Sequence, residues 1–258
     1  MKKLESMNKV TIKNKTWGGE TVLACIPMVP KTKEDLLADA AAIAAMEPDV
    51  IEWRVDSFEQ CADPEATVDA LKAMVAVTGD IPVIFTLRAA AEGGAQELTE
   101  EQRLATITAC LKTGLVDLID TEQACNSAEY LKTVRELCTE NHTALILSCH
   151  FFKATPDTQK MMDLLENAQK LGADIPKLAV MPQNFQDVLN LMSATFQCRT
   201  TGKVTQPMIT MSMSETGKIT RVIGDAYGSD MSFVLGKDAS APGQIPVGKI
   251  HQLWDLLA

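Results

Sequence analysis

The run DIPKLAV, residues 174–180, sets a single lysine, Lys177, among apolar neighbours. An ammonium in a dry wall is costly unless it is paired or gives up its proton. The heptapeptide therefore has two readings. Either it is an edge strand whose lysine faces water, or it holds a desolvated amine, kept partly neutral by burial and nearby cations, that attacks a carbonyl. His150 closes the apolar run ALILSC, as a packed core histidine or as a general acid/base. A lysine and a histidine in one site suit imine chemistry, where proton transfers follow amine attack.

Other polar residues fall at comparable places. In IEWRVD, Glu52, Arg54 and Asp56 alternate with Trp53 and Val55, so the charged set shares one face of a strand. Glu52 and Arg54 are expected to pair there, as a structural ion pair or as part of a site. Arg88 ends IPVIFTLR, and Glu92-Gly93-Gly94 follows in a loop. Late in the chain, Arg221 follows MITMSMS, and KDASAPGQIP carries Ser240 and Gln244. The methionines of MITMSMS read as soft core filler.

The elements that must position these residues are legible as a pattern. ETVLACIPMV, DVIEWRVD, IPVIFTLR, VDLIDTE, TALILSCH, IPKLAVMP, PMITMSM and MSFVLGK are strand-like, and helix-like stretches separate them. Leu36, Ala40, Ile43 and Ala44 share one helical face; Met161, Leu164, Leu165 and Ala168 share another. Thr32 and Asp63-Pro64 mark helix starts, and Gly79, Gly114 and Gly172 mark helix ends. Strand–helix alternation means parallel strands with helices outside. Eight units in a chain of 258 residues match a closed (β/α)8 TIM barrel. An open doubly wound sheet would want a Gly-rich turn after its first strand, where Pro30-Lys31-Thr32 stands instead. The expected organisation is a single barrel domain over residues 1–258. Residues 1–19 form an N-terminal hairpin extension that turns at Trp17-Gly18-Gly19 and plugs one end. In such a barrel both sheet faces are covered, so charges on one face point into the lumen, and chemistry sits at the C-terminal ends of the strands.

Composition bounds the function. A hydrophobic share of 46% supports a real core. No apolar run reaches the roughly 20 residues a membrane span needs, and the N-terminus lacks the apolar segment of a signal peptide. Seven cysteines scattered singly, without a CxxC pair, fit free thiols in a reducing compartment, hence the cytoplasm. A net charge of −10 argues against nucleic acid as a partner. An anionic ligand would need local arginines against that field. Three histidines and no HxH pair disfavour a metal site.

IEWRVD, FTLRAAAEGG, SCHFFKATP, IPKLAVMP, TMSMSETGKITRVIGDAYGS and ASAPGQIPV resemble, in order, the motifs of type I 3-dehydroquinate dehydratase, a shikimate-pathway family. The resemblance implies a (β/α)8 barrel and a hydro-lyase that loses water from 3-dehydroquinate through a lysine Schiff base. It also implies a homodimer with a small-molecule substrate and no metal or organic cofactor. By this resemblance Lys177 is the Schiff-base lysine, His150 the general acid/base, and Glu92 the carboxylate that orients it. Glu52, Arg54 and Arg88 bind the hydroxyl and carbonyl side of the substrate, and Met211 lines the pocket. Arg221 takes the substrate carboxylate, with Ser240 and Gln244 on a closing loop. The chain departs from the pattern after the histidine, where Phe151 replaces a polar Asp or Asn; this bears on the hydrogen bonding of His150. A Schiff-base aldolase and a barrel that binds a cyclic acid without turnover are the alternatives.

Overall fold

Runs that are apolar on both faces become the inner wall, and amphipathic runs become the outer shell. The computed structural model describes residues 3–236 and 243–257. A short antiparallel hairpin, β1 (Val10–Ile12) and β2 (Lys15–Trp17), leads the chain. Then β3 (Leu23–Met28), α1 (Lys33–Ala44), β4 (Val50–Arg54), α2 (Pro64–Thr78), β5 (Val83–Thr86) and α3 (Glu100–Leu111) follow. The alternation continues with β6 (Leu118–Glu122), α4 (Ala128–Glu140), β7 (Ala144–Phe151), α5 (Thr158–Lys170), β8 (Ile175–Val180) and α6 (Phe185–Thr200). Last come β9 (Ile209–Ser212), the short α7 (Ser214–Gly217) and α8 (Ile219–Ile223), β10 (Met231–Phe233) and α9 (Val247–Leu257).

Strands β3 to β10 form one parallel sheet in the order β10-β3-β4-β5-β6-β7-β8-β9, the (β/α)8 barrel that the alternation predicts. At the seam between its ends, side chains join the strands: Met208 N–H donates to Asp230 Oδ2 (2.8 Å) and Thr210 N–H to Ser229 Oγ (3.0 Å). Helix starts are capped as the sequence indicates, by Thr32 on α1 and by Asp63 on α2 with Pro64 in its first turn. The hairpin differs from expectation. Its turn falls at Lys13-Asn14, where Lys13 takes a left-handed φ of 52°, and Ile12 pairs with Lys15. Trp17 ends the second strand instead of turning, and its fully buried ring plugs the barrel floor among Leu23, Val50, Ile84, Leu118, Ile146 and Ile175.

Each inner strand climbs two residues per step from that apolar floor. Val50 leads to Glu52 and Arg54, Leu118 to Asp120 and Glu122, Ile146 to Ser148 and His150, and Ile175 to Lys177 and Ala179. Alternate residues such as Trp53, Phe85, Ile119 and Leu147 pack outward with the helices in the larger core. Sheet pleat and parallel register alone bring the polar residues of separate strands to one level.

A second ring of charge lies at the floor. Asp49, Asp117, Asp174 and Asp230 each stand just before a strand (β4, β6, β8, β10). Each accepts a backbone N–H of the neighbouring strand or of its lead-in: Ala24, Val83, Leu145 and Met208 respectively. Each also carries a cation, Lys15, Lys13, Arg135 and Arg199 in the same order.

Candidate active site

The polar level of the lumen opens into a cavity at the mouth of the barrel. Glu52, Arg54, Arg88, Glu92, His150, Lys177, Met211, Arg221 and Gln244 line it. Thus nine of the ten residues singled out in the sequence meet in one place. The tenth, Ser240, lies outside the described residues.

Lys177 sits mid-strand in β8, only 4% exposed. The solvent-facing reading of this lysine is therefore wrong. The expectation of an amine desolvated among cations is also incomplete. Its Nζ donates to Asp120 Oδ2 at 2.5 Å, stands 3.8 Å from Glu52 Oε1, and lies 4.3 Å from the centre of the Phe233 ring. A buried ammonium demands such counter-charges. Glu52 is itself held by Thr86 Oγ1 (2.9 Å).

The expected Glu52–Arg54 pair is not formed. Arg54 instead forks onto Asp56, through Nε to Oδ1 and Nη2 to Oδ2, both 2.8 Å. Asp56 has left the strand for a short 3-10 turn that curls back to the guanidinium, whereas Glu52 lies one step deeper and faces Lys177.

Asp120 and Glu122 were not among the sequence candidates, yet they organise the site. Arg88 Nη1 lies 2.9 Å from Asp120 Oδ1 and 2.7 Å from Glu122 Oε1, and donates to Ser148 Oγ at 2.8 Å. Burial by itself would raise the Asp120 carboxyl, but Arg88 and Lys177 overrule it and hold it well below the usual carboxylate range. The usable signal was Leu118-Asp120-Glu122 alternation in VDLIDTE, the same face pattern read in IEWRVD. Phe152, Met213 and Phe233 also line the cavity and were not singled out.

His150 stands at the mouth end of β7. Glu92 Oε2 accepts its backbone N–H (2.8 Å) and lies 3.0 Å from Nδ1. That contact leaves Nε2 as the ring nitrogen to work with. Burial, then the Arg88 and Lys177 cations, push the imidazole well below its ordinary 6.5, so it is neutral at neutral pH and able to accept a proton. Burial and the nearby Glu122 carboxylate push Glu92 up to about 7. Phe152 stacks on the imidazole (centroids 6.1 Å apart, planes 14° from parallel). Gly93 makes room for it: a Cβ there would stand 2.9 Å from the Phe152 ring. Phe151, the departure from the family pattern, pairs with Val180 and packs outward into the cluster around Met161 and Leu165. The contacts of His150 with Glu92 survive that substitution.

Arg221, on α8, reaches the opposite wall, where Nη1 donates to the Phe233 carbonyl at 3.0 Å and lies 3.9 Å from Met211 Sδ. Burial lowers its guanidinium to about 10, so an incoming anion would relieve a real desolvation cost. Among the described residues no group of three or more His, Cys, Asp or Glu is arranged to hold a metal ion, and no helix is long and apolar enough to cross a membrane.

Fold and cavity together define a TIM-barrel protein with a buried lysine and a neutral histidine facing one apolar-floored, polar-mouthed chamber. Comparison with known proteins narrows this class. Residues 24–258 match the family model of type I 3-dehydroquinase. The chain is 39% identical over 251 residues to a 3-dehydroquinate dehydratase of Listeria monocytogenes, covering 97% of this chain and 98% of that one. It is 38% identical over 251 residues to that of Bacillus subtilis, with the same coverage. The crystal structure of 3-dehydroquinate dehydratase from Geobacillus kaustophilus superposes with a TM-score of 0.94 at 34% identity, covering 98% of this chain and 97% of that one. The type I enzyme from Clostridium difficile, solved with covalently modified comenic acid, gives 0.93 at 36% identity and 98% coverage of each chain. The chain belongs to the type I 3-dehydroquinase family, a family of hydro-lyases.

Proposed function

We propose that this chain dehydrates 3-dehydroquinate to 3-dehydroshikimate through an imine on Lys177. The observation that carries the proposal is the buried amine of Lys177, set in one cavity with neutral His150 and with Arg221. Arg221 receives the substrate carboxylate, Gln244 and Ser240 close over it, and Met211 packs against the ring. Glu52, Arg54 and Arg88 address its hydroxyl and carbonyl side.

Lys177 gives up a proton through His150, and the free amine attacks the C3 ketone. The carbinolamine loses water, with His150 passing protons, to leave a cationic iminium. Asp120, 2.5 Å from Nζ, is its counter-charge, and a charge so placed in a dry site favours the cation. The iminium acidifies C2. His150 takes that proton, the C–H electrons flow to nitrogen, and the resulting enamine expels the C1 hydroxyl as His150 returns the proton. Hydrolysis of the conjugated iminium frees product and restores the amine. Glu92 holds the imidazole by Nδ1 throughout. Side chains carry every step, without metal or organic cofactor.

The same reading makes the chain a single-domain cytoplasmic homodimer of the shikimate pathway, acting on a small molecule and on neither nucleic acid nor membrane. Sedimentation velocity checks the dimer. For the chemistry, the test is to mix protein with 3-dehydroquinate, follow the absorbance of the conjugated enone, and add borohydride during turnover. Enone should accumulate, and borohydride should fix the ligand mass on Lys177. Lys177→Met, of similar length and apolar, should fold and lose both. Turnover in the methionine variant, or a label on another lysine, would reject the assignment.

A further inference from the structure

The charge network of the site continues to a residue that does not line the cavity. Arg103 belongs to α3, in the helical shell, yet it is only 3% exposed. Its Nη2 donates to Glu122 Oε2 (2.7 Å) and Thr121 Oγ1 (3.1 Å), and Nη1 donates to Asn126 Oδ1 (2.7 Å). The guanidinium lies 4.9 Å from the centre of the Tyr130 ring. From Glu122 the bonds run inward: Oε1 to Arg88 Nη1 (2.7 Å), Arg88 Nη1 to Asp120 Oδ1 (2.9 Å), and Asp120 Oδ2 to Lys177 Nζ (2.5 Å).

Two physical arguments give this chain a purpose. The first is charge balance. Glu52, Asp120 and Glu122 are buried carboxylates, and Arg88 and Lys177 face them. Arg103 is the third cation against three carboxylates. Without it the cluster carries excess negative charge beside a cavity that must admit an anion, and the excess is greater when Lys177 is neutral for attack. The second is geometry. Arg88 Nη1 serves Asp120, Glu122 and Ser148 at once, so its position depends on where Glu122 is pinned. Arg103 pins it from behind. A merely structural role would be met more cheaply by an apolar pair in place of Arg103 and Glu122 together, and the Nε of Arg103 finds no hydrogen-bond partner among the described residues.

We propose that Arg103 is a positioning residue for the reaction: it holds Glu122, which fixes Arg88, which in turn fixes the Asp120 carboxylate against which Lys177 forms and carries its imine. The proposal rests on the imine reading above. Asn126 and Thr121 complete the socket of the Arg103 fork; they do not replace its charge.

The test compares wild type with Arg103→Met and Arg103→Lys at saturating 3-dehydroquinate, reading the rate at which borohydride-trapped adduct appears. Substrate affinity without imine is measured by calorimetry in the Lys177→Met background, with and without each Arg103 change. Arg103→Met should slow trapping about 10–100-fold, the scale of a misplaced reacting group. The noncovalent Kd should move less than about threefold, since Arg103 does not line the cavity. Arg103→Lys, which returns the charge without the fork, should recover most of the lost rate. Trapping by Arg103→Met at the wild-type rate would overturn the proposal. So would losses of rate and affinity that run in parallel with a lowered melting temperature. Should the methionine variant fail to fold, the lysine variant decides: an unchanged Kd with a modest rate loss supports positioning, while an equal loss of both rejects it. Wild type that leaves no trapped adduct would fail the imine reading itself, a result distinct from either.

Discussion

The two ends of this barrel use the same kinds of bond for opposite ends. At the floor, each carboxylate of the Asp49, Asp117, Asp174 and Asp230 ring caps a backbone N–H beside it and takes its own cation, with Lys3 as a second one on Asp230. Three of these acids sit in partly exposed pairs, with side-chain exposures between 16% and 34%, while Asp230, held by Lys3 and Arg199, is the dry exception. At the mouth, carboxylates and cations are nearly dry and share partners, Arg88 most of all. The floor satisfies each group locally, so its charges hold strands in register. The mouth is dry and crowded with charge, so burial first, and then the neighbouring charges, drive Glu92 and His150 far from their ordinary titration. Stress of this kind marks chemistry more often than architecture.

If that contrast is real, mouth substitutions should cost activity more than folding. The largest effect expected is at the base. His150→Ala should cut turnover roughly 10²–10⁴-fold while an adduct on Lys177 still accumulates under borohydride, seen by mass spectrometry. Near-normal turnover would return His150 to the core. Next is the anion end. Arg221→Ala should weaken 3-dehydroquinate binding by about 2–4 kcal/mol, because a desolvated carboxylate loses its partner. An analogue lacking the carboxylate should bind unchanged in calorimetry, and equal losses for both would move the clamp elsewhere.

How much of this contrast could be read in the chain depends on whether a signal is local. Strands buried on both faces are apolar runs, so all eight were legible, and so were Lys177 and His150, which interrupt or end such runs. Glu92 and Arg221 became candidates from their place after strands. Asp120 and Glu122 went unread although their spacing matched Glu52 and Arg54, because acids at the end of VDLIDTE look like ordinary strand-exit polarity. Arg103 in EEQRLATITACL is indistinguishable by spacing from a solvated arginine. Its burial follows from where α3 packs. Partners such as Asp120 and Lys177 lie 57 residues apart, and only barrel register brings them together. The floor aspartates were equally silent, since they recur once per two strand–helix units without a fixed sequence period.

The floor offers the converse test. Asp174 accepts Leu145 N–H (2.8 Å) and Arg135 Nη1 (2.7 Å) far from the cavity. Asp174→Ala strands a backbone donor and should lower unfolding free energy by about 2 kcal/mol in urea titration. Its kcat and KM should remain those of wild type. A fall in kcat in the folded variant would mean that the two ends are coupled, and the division drawn between them would go.

The smallest effect isolates the stress at the mouth itself. Glu92 ionises at about 7 in the folded chain against an ordinary 4.5. Between those values the folded state holds a proton that the unfolded state has released, so this group makes the fold less stable as pH rises. The cost is absent below about 4.5 and complete above about 7. His150 slopes the other way: its depressed value means the unfolded chain takes up a proton first as pH falls below 6.5, so the fold weakens on the acid side. Glu92→Gln keeps an oxygen for the His150 N–H but cannot ionise, and it leaves the histidine slope common to both proteins. The variant should therefore match wild type at pH 4.5 and exceed its stability by about 1 kcal/mol at pH 8, less than the full shift because the carboxylate can relax. Denaturant titrations at the two pH values read the difference directly. A glutamine variant that is less stable by the same amount at both would show that Glu92 is a contented partner of its histidine, and that the mouth is built like the floor.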